Sequence, residues 1–178
     1  MQPMNRSDHE AAAVADSNAR TRTRPWLSTL CGTGCGLVLW LGLSSALLPV
    51  TTSLRRLVEL QAWGLGLGAV LAMAGLGVLL PRPAAAGPWW NRSLVALAVV
   101  LVGSTVLALL RLRAQADPAW LALLAAVVCI GALTAIISLA LLEAGQSGLL
   151  LPVRLAQSLL GGATVLFALF ALRWPGSD

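Results

Sequence analysis

Long runs without a charged residue dominate the sequence, and the run from Ala62 to Leu80 constrains the fold most. Its length matches the roughly 20 helical residues that cross the hydrocarbon core of a bilayer. Its small residues are spaced by four, four and three positions, so they share one face of a helix: Gly64, Gly68, Ala72 and Gly75. A face without large side chains lets the backbone of a second helix come close, which is how helices associate in lipid. The run is therefore predicted to be both a membrane span and a helix-packing face.

The composition extends this prediction to the whole chain. Of its 178 residues, 58% are hydrophobic and 11% are charged, with a mean hydropathy of +0.83. A soluble domain carries about a quarter of its residues as charges, because its surface faces water. We therefore predict an all-α, polytopic transmembrane helix bundle that forms a single domain over residues 26–174. The polar stretch 1–25 is predicted to be a disordered cytoplasmic tail, and residues 175–178 are a short C-terminal tail.

Breaks between the apolar runs predict about five spans. Four spans are the alternative, because polar residues near the start of the last run weaken it. The pair Asp117-Pro118 is typical of a helix start, with an aspartate cap followed by proline at the first helical position. Pro152 is expected to break the chain before the fifth helix. The predicted spans are approximately 26–48, 57–80, 94–110, 119–142 and 155–172.

Tryptophans near the ends of these spans are predicted to lie at the membrane–water boundary, where an indole ring fits among lipid headgroups. Trp40 differs, because it lies near the middle of the first span. We expect it to pack as a large knob against a glycine face, and contact with a pigment or quinone is the alternative. The predicted interface anchors are Trp26, Trp63, Trp89, Trp90, Trp120 and Trp174.

The basic residues bear on orientation and on partners. All 12 are arginines, which suggests a GC-rich, bacterial genome and a bacterial inner membrane, or an intracytoplasmic or thylakoid membrane. With the N-terminus in the cytoplasm, seven arginines fall on the inner side and five on the outer side, so the positive-inside rule favours that orientation by a small margin. The arginines are scattered between spans and do not form a basic surface, so we expect no nucleic-acid binding despite the net charge of +5.

Three cysteines lie in the predicted spans. Cys31 and Cys35 are one helical turn apart, and Cys129 is in the fourth span. They could form a thiolate or redox site, but a small, mildly polar residue beside glycines is more typical of close helix packing. Gly32 and Gly36 in the same run repeat the small-residue spacing.

Strongly polar residues stand near the predicted span ends rather than at their centres. His9, the only histidine, lies in the tail, so we expect neither a zinc site nor a bis-histidine haem, and we predict no cofactor and no metal. An ionisable residue inside a membrane is a functional candidate, because burying it in lipid is costly. The candidates for a proton or substrate role are, in this order, Glu59, Glu143, Arg154 and Gln157. Two of them, Glu143 and Arg154, could also pair across their loop.

These features favour a non-catalytic accessory, assembly or scaffolding subunit, with lipid and either other membrane proteins or a second copy as partners. A transporter or channel for a small solute or an ion is the alternative. It would need polar groups deep in the membrane, for which Thr134, Ser138 and Thr164 are the mild candidates. A lipid-modifying enzyme comes third, because it would need a cluster of reactive side chains at the interface, and no such pattern is present. The chain is therefore not expected to be an enzyme.

Overall fold

The computed structural model describes residues 26–45, 55–79, 88–113, 117–144 and 150–173, and each stretch contains one long helix. All five helices are long and apolar enough to cross a membrane, and no strand occurs in these stretches. The prediction of an all-α transmembrane bundle is confirmed, while the predicted tails lie outside the described residues. The helices are α1 (Trp26–Ser45), α2 (Arg55–Leu79), α3 (Pro88–Arg113), α4 (Pro118–Ala144) and α5 (Leu150–Arg173).

Local sequence signals account for two helix starts. The backbone N–H of Ala119 donates to Asp117 Oδ1 at 3.0 Å, so the predicted aspartate cap of α4 is confirmed. The prediction that Pro152 breaks the chain ahead of α5 is wrong, because α5 already begins at Leu150. Pro152 lies in the first turn of this helix, where backbone N–H groups have no intrahelical acceptor. The missing N–H of proline therefore costs no hydrogen bond there.

The four later helices form a closed ring around α1. In this ring α2 packs on α3, α3 on α4, α4 on α5, and α5 on α2. Within the span of α1, 56% of the residues are buried, against 39% or less in each of the other four spans. Three glycines of α1 face three different neighbours: Gly34 faces α2, Gly42 faces α4 and Gly36 faces α5. The first helix, rather than the glycine-rich second one, is therefore the centre of the bundle.

The small-residue face of α2, formed by Gly64, Gly68, Ala72 and Gly75, is buried against α1. The helices come closest at Gly34. A Cβ atom added there would lie 2.5 Å from the backbone nitrogen of Ala72 and 2.7 Å from the carbonyl oxygen of Gly68. Backbone atoms cannot rotate away as a side chain can, so this crossing has no room for a methyl group.

A second close crossing joins α1 to α5. Gly32 and Gly36 both face Ser158: an added Cβ on Gly32 would lie 2.5 Å from the Ser158 hydroxyl, and one on Gly36 would overlap the Ser158 carbonyl oxygen. One turn later on α5, Gly162 lies against the backbone of Gly36 and Leu37. The central helix is thus held by backbone contact on two of its sides, which is the packing that favours association in lipid.

Most of the described tryptophans face outward. Trp40 is 38% exposed, and its indole N–H donates to the carbonyl oxygen of Leu159 on α5 at 3.1 Å, so it links two helices. Trp90 is half-buried. The side chain of Trp89 and all of Trp174 lie outside the described residues. The strongly exposed ones are Trp26, Trp63 and Trp120.

The three cysteines are free thiols, and two of them face glycines of neighbouring helices. Cys31 is fully buried against Gly75, and Cys129 is half-buried against Gly42. Cys35, one turn after Cys31, is also fully buried. Within the described helices, no group of three His, Cys, Asp or Glu side chains could hold a metal ion. At Cys31 and Cys129 the small side chain fills the space beside a glycine of the next helix.

This burial predicts slow thiol chemistry. Cys31 in the folded protein in mild detergent should react with a maleimide about tenfold or more slowly than after unfolding in SDS, because labelling requires the bundle to open. The control is Met73→Cys, which places a thiol at an exposed position on α2. Rates are measured by mass spectrometry of the labelled peptides. Equal rates at the two positions in the folded protein would contradict the packing of Cys31.

Candidate functional site

Two polar clusters lie at opposite ends of α1, where the helix meets its neighbours. The Arg111 cluster is at the C-terminal end of α1 and consists of Ser44, Ser45, Gln61 and Arg111. The Arg154 cluster is at the N-terminal end and consists of Ser28, Thr29, Arg154 and Ser158. The stretch of α1 between them, from Cys31 to Leu41, is largely buried in apolar contacts.

Arg111 connects the last turn of α3 to the end of α1. Its Nη2 donates to the carbonyl oxygen of Ser45 at 2.6 Å, and the side chain is only 5% exposed. The last carbonyls of a helix have no intrahelical donor and carry the negative end of the helix dipole. The residue four positions after Ser45 is Pro49, which has no backbone N–H, so the Arg111 guanidinium gives the Ser45 carbonyl oxygen a donor that the α1 backbone does not supply. Arg111 therefore acts as a cap on α1 supplied by another helix.

Gln61 joins α2 to the same end of α1. Its amide is buried and donates to the Ser44 hydroxyl at 3.2 Å, and that hydroxyl donates to the Leu41 carbonyl oxygen at 2.9 Å. In the described part of the chain, two buried side-chain atoms have no hydrogen-bond partner, and they lie on neighbouring members of this cluster: Ser45 Oγ and Arg111 Nε. The hydrogen bonds of this cluster link α2 and α3 to α1, an arrangement that holds helices together.

The Arg154 cluster lines a narrow crevice between α1, α4 and α5. Arg154 Nη1 lies 3.4 Å from Thr29 Oγ1, which is a long hydrogen bond, and the Ser158 hydroxyl donates to the Arg154 carbonyl oxygen at 2.9 Å. The crevice, which Ser28 and Gly32 also line, has a volume of about 20 Å³. One water molecule needs about that much room. A crevice of this size cannot hold an organic solute.

The four polar residues favoured from the sequence do not meet in one place. Glu59 is half-buried near the start of α2, at the same end of the bundle as the Arg111 cluster, and it has at least one interaction partner. Arg154 is at the other end, and Gln157 is exposed on the outer side of α5. The side chain of Glu143 lies outside the described residues, and so does its predicted pairing with Arg154.

Sequence reasoning missed the members of the Arg111 cluster. One signal was available: Arg111 and Arg113 are two residues apart, which is about 200° around a helix, so they cannot face the same side. The structure turns Arg111 inward and leaves Arg113 exposed. Gln61 was a weaker signal, since it is an amide directly before an uncharged run.

The three hydroxyl groups named above as candidates for a carrier are occupied by their own helices. Each donates to the carbonyl oxygen four residues earlier: Thr134 to Ile130 at 2.8 Å, Ser138 to Thr134 at 2.6 Å, and Thr164 to Leu160 at 2.8 Å. Such bonds satisfy the hydroxyl donor within one helix. These three groups therefore offer no free donor to a passing solute.

A third polar feature lies on the outer face of α5, defined here by Gln157, Thr164, Ala168 and Ala171. All four are exposed, and their spacing of seven, four and three positions keeps them on one side of the helix. Only 11% of the α5 span is buried. Gln157 is six residues inside that span, about 9 Å along the helix axis. Gln157 therefore stands one turn after Arg154, in the first third of a largely apolar span.

Comparison with known proteins adds no functional assignment. No protein-family model, no curated protein and no solved structure matches this chain. The basis for a function is therefore the central position of α1, the two polar clusters at its ends and the outer face of α5.

Proposed function

We propose that this integral membrane protein is a non-catalytic accessory, assembly or scaffolding subunit, and that the outer face of α5 attaches it to a membrane helix of a partner protein. The bundle holds α1 at its centre through two backbone crossings. It leaves α5 as the least covered helix. A subunit of this kind works by presenting a helix face to its partner, so it needs no reactive group in its interior.

The exposed amide of Gln157 is the observation that carries this proposal. A glutamine facing hydrocarbon is unfavourable, whereas one that meets a donor or acceptor on another helix is stabilised by about 1 kcal/mol. The same side of α5 carries Thr164, Ala168 and Ala171, whose small side chains allow a second helix to come close beside the larger Leu160 and Phe167. A polar group flanked by small residues is typical of helix–helix interfaces in membranes.

The interior supports this role over that of a carrier. The Arg111 and Arg154 clusters are separated by the buried middle of α1, where glycines bring backbones into contact. The Arg154 crevice has room for about one water, and the deep hydroxyls of Thr134 and Ser138 donate within their own helix. A carrier needs a polar site near the midplane that binds and releases a solute. The described contacts favour a structural role.

We also infer a bacterial inner membrane, or an intracytoplasmic or thylakoid membrane, with the N-terminus in the cytoplasm. The support is the exclusive use of arginine and the excess of arginines on the side where the chain starts. Labelling of cysteines engineered into the connections between helices, with an impermeant reagent on intact cells, tests this orientation.

Weakening the α5 face should release the partner. Gln157→Leu is expected to lower the affinity for the partner about fivefold, since one interhelical hydrogen bond is lost. Ala168→Phe should have a larger effect, because a bulky ring keeps the second helix at a distance. The measurement is quantitative mass spectrometry of proteins that co-purify with the chain from its native membrane in mild detergent.

The matched control is Ala126→Phe, which adds the same ring at an exposed position on α4. It should leave co-purification unchanged. A wild-type protein that is always recovered alone, or an equal loss with Ala126→Phe, would contradict the proposal. If cross-linking in the native membrane gives only products made of copies of this chain, the α5 face mediates self-association and the proposed partner protein is wrong.

A further inference from the structure

A long groove runs between α3 and α4 on the outside of the bundle. Its volume is about 530 Å³, within the range of small-molecule binding sites. The walls are branched apolar side chains, among them Val95 and Ile130, and the floor is formed by Ala96 and Gly131. A Cβ atom on Gly131 would lie 3.0 Å from the Val99 side chain, so the absence of a side chain at Gly131 leaves space at the bottom of the groove. The groove therefore offers a smooth apolar channel open to lipid.

The charged and amide side chains of the groove are concentrated at one end. Asn91 and Arg92, both exposed, lie in the first turns of α3, whereas the lining along the rest of α3 is apolar as far as Val99. From Asn91 to Val99 the helix rises about 12 Å. One leaflet of hydrocarbon is about 15 Å thick. The groove thus has a cationic end at the start of the α3 span and an apolar length comparable to an acyl chain within one leaflet.

We propose that this groove binds one anionic phospholipid, with an acyl chain between α3 and α4 and the phosphate at Arg92. A guanidinium recognises phosphate through paired hydrogen bonds, and Asn91 adds an amide donor beside it. The charge of Arg92 at the end of the groove favours an anionic lipid over a partner helix here. The Thr134 hydroxyl, the donor that a partner helix would find in the groove, already donates to Ile130. This site lies on other helices than the outer face of α5 and does not depend on the partner proposed there.

Lipid titration tests the site directly. The full chain, purified in a neutral detergent, is titrated with phosphatidylglycerol or phosphatidylcholine, and bound lipids are counted by native mass spectrometry. Arg92→Gln should weaken phosphatidylglycerol binding about fivefold, the contribution of one basic residue beside an anionic lipid. The matched control Arg113→Gln, at the exposed other end of α3, should bind as the wild type does. The wild type should bind phosphatidylcholine more weakly than phosphatidylglycerol. Arg92→Gln should bind the two lipids equally.

Blocking the groove tests the acyl-chain part. Val95→Phe places a ring in the groove and should reduce binding severalfold, whereas Val102→Phe, at an equally exposed position seven residues later on α3 and outside the groove, should not. Inorganic phosphate should fail to displace the lipid. Equal phosphatidylglycerol binding by wild type and Arg92→Gln, equal losses in Arg92→Gln and Arg113→Gln, or full displacement by inorganic phosphate would overturn the proposal. Thermal unfolding of each variant confirms that it is folded.

Discussion

Gly34→Ala is expected to lower the free energy of unfolding of the bundle by about 3 kcal/mol, the upper range for an overpacked site. The added methyl group would lie 2.5 Å from the Ala72 nitrogen and 2.7 Å from the Gly68 oxygen, so α1 and α2 must separate to admit it. In a chain of this size the loss corresponds to a fall in the melting temperature of about 6–12 °C. Thermal unfolding in one detergent, followed by circular dichroism, measures it.

Gly66→Ala is the matched control and should shift stability in the opposite direction. Gly66 lies on α2, the helix that Gly34 contacts, but an added Cβ there meets no atom within 4 Å. Alanine is a better helix former than glycine by about 0.5–1 kcal/mol, so this variant should be slightly more stable than the wild type. If the two substitutions change the melting temperature equally, the close crossing of α1 and α2 is wrong.

Arg111→Leu is expected to lower the free energy of unfolding by about 2 kcal/mol. The substitution leaves the buried Ser45 carbonyl oxygen without its charged donor, and a hydrogen bond to a charged group contributes about 1.5–3 kcal/mol. Part of this loss is offset, because a guanidinium with an unpartnered Nε no longer has to be buried. Amide hydrogen exchange in the last turn of α1 should become faster, since that turn loses its cap.

Arg113→Leu provides the comparison for this prediction. It removes the same charge two residues later on α3, at an exposed position, and should change stability by no more than about 0.5 kcal/mol. Equal effects of the two substitutions on unfolding and on exchange in α1 would mean that Arg111 does not cap this helix.

The sequence was sufficient for the class of fold because that class depends on local properties. Uncharged runs of about 20 residues leave few alternatives to membrane-crossing helices. The Asp117-Pro118 start of α4 was also local, since the cap uses backbone and side-chain atoms two residues apart. Pro152 misled because a proline is equally compatible with the end of one helix and the first turn of the next.

The arrangement of the helices could not be predicted in the same way. The spacing of Gly64, Gly68, Ala72 and Gly75 defines one face of α2, but it does not say which helix covers that face. Small residues also recur in α1 and α5, so several pairings satisfy the same pattern. That α1 is central follows from the combined crossings at Gly34 and Gly36, which are tertiary contacts.

The polar clusters escaped prediction for a related reason. An arginine near the end of a span can reach water or turn inward, and the rotation of its helix decides between the two. Helix rotation is set by packing against neighbours, so the spacing of Arg111 and Arg113 shows that they face different sides but not which of them turns inward. Arg154 was predicted to be near a span end, but its proximity to Thr29 on α1 joins residues far apart in the chain.

The central position of α1 is tested most directly by disulfide formation with the native cysteines. In Gly75→Cys the new Cβ would lie 3.2 Å from the Cys31 Cβ, and in Gly42→Cys it would lie 2.7 Å from the Cys129 sulfur. A disulfide joins Cβ atoms about 3.8 Å apart, so a small shift suffices in either case. Each variant carries alanine at the other native cysteines and a protease site inserted in the connection 46–54.

After mild oxidation in the membrane and cleavage, we expect α1 to stay attached to the rest of the chain on a non-reducing gel in both variants. It should be released by reductant. In Gly66→Cys, open space surrounds the new side chain, so no disulfide to α1 should form. Protease cleavage alone should then release α1, without reductant. Release of α1 from both Gly75→Cys and Gly42→Cys would contradict a bundle organised around its first helix.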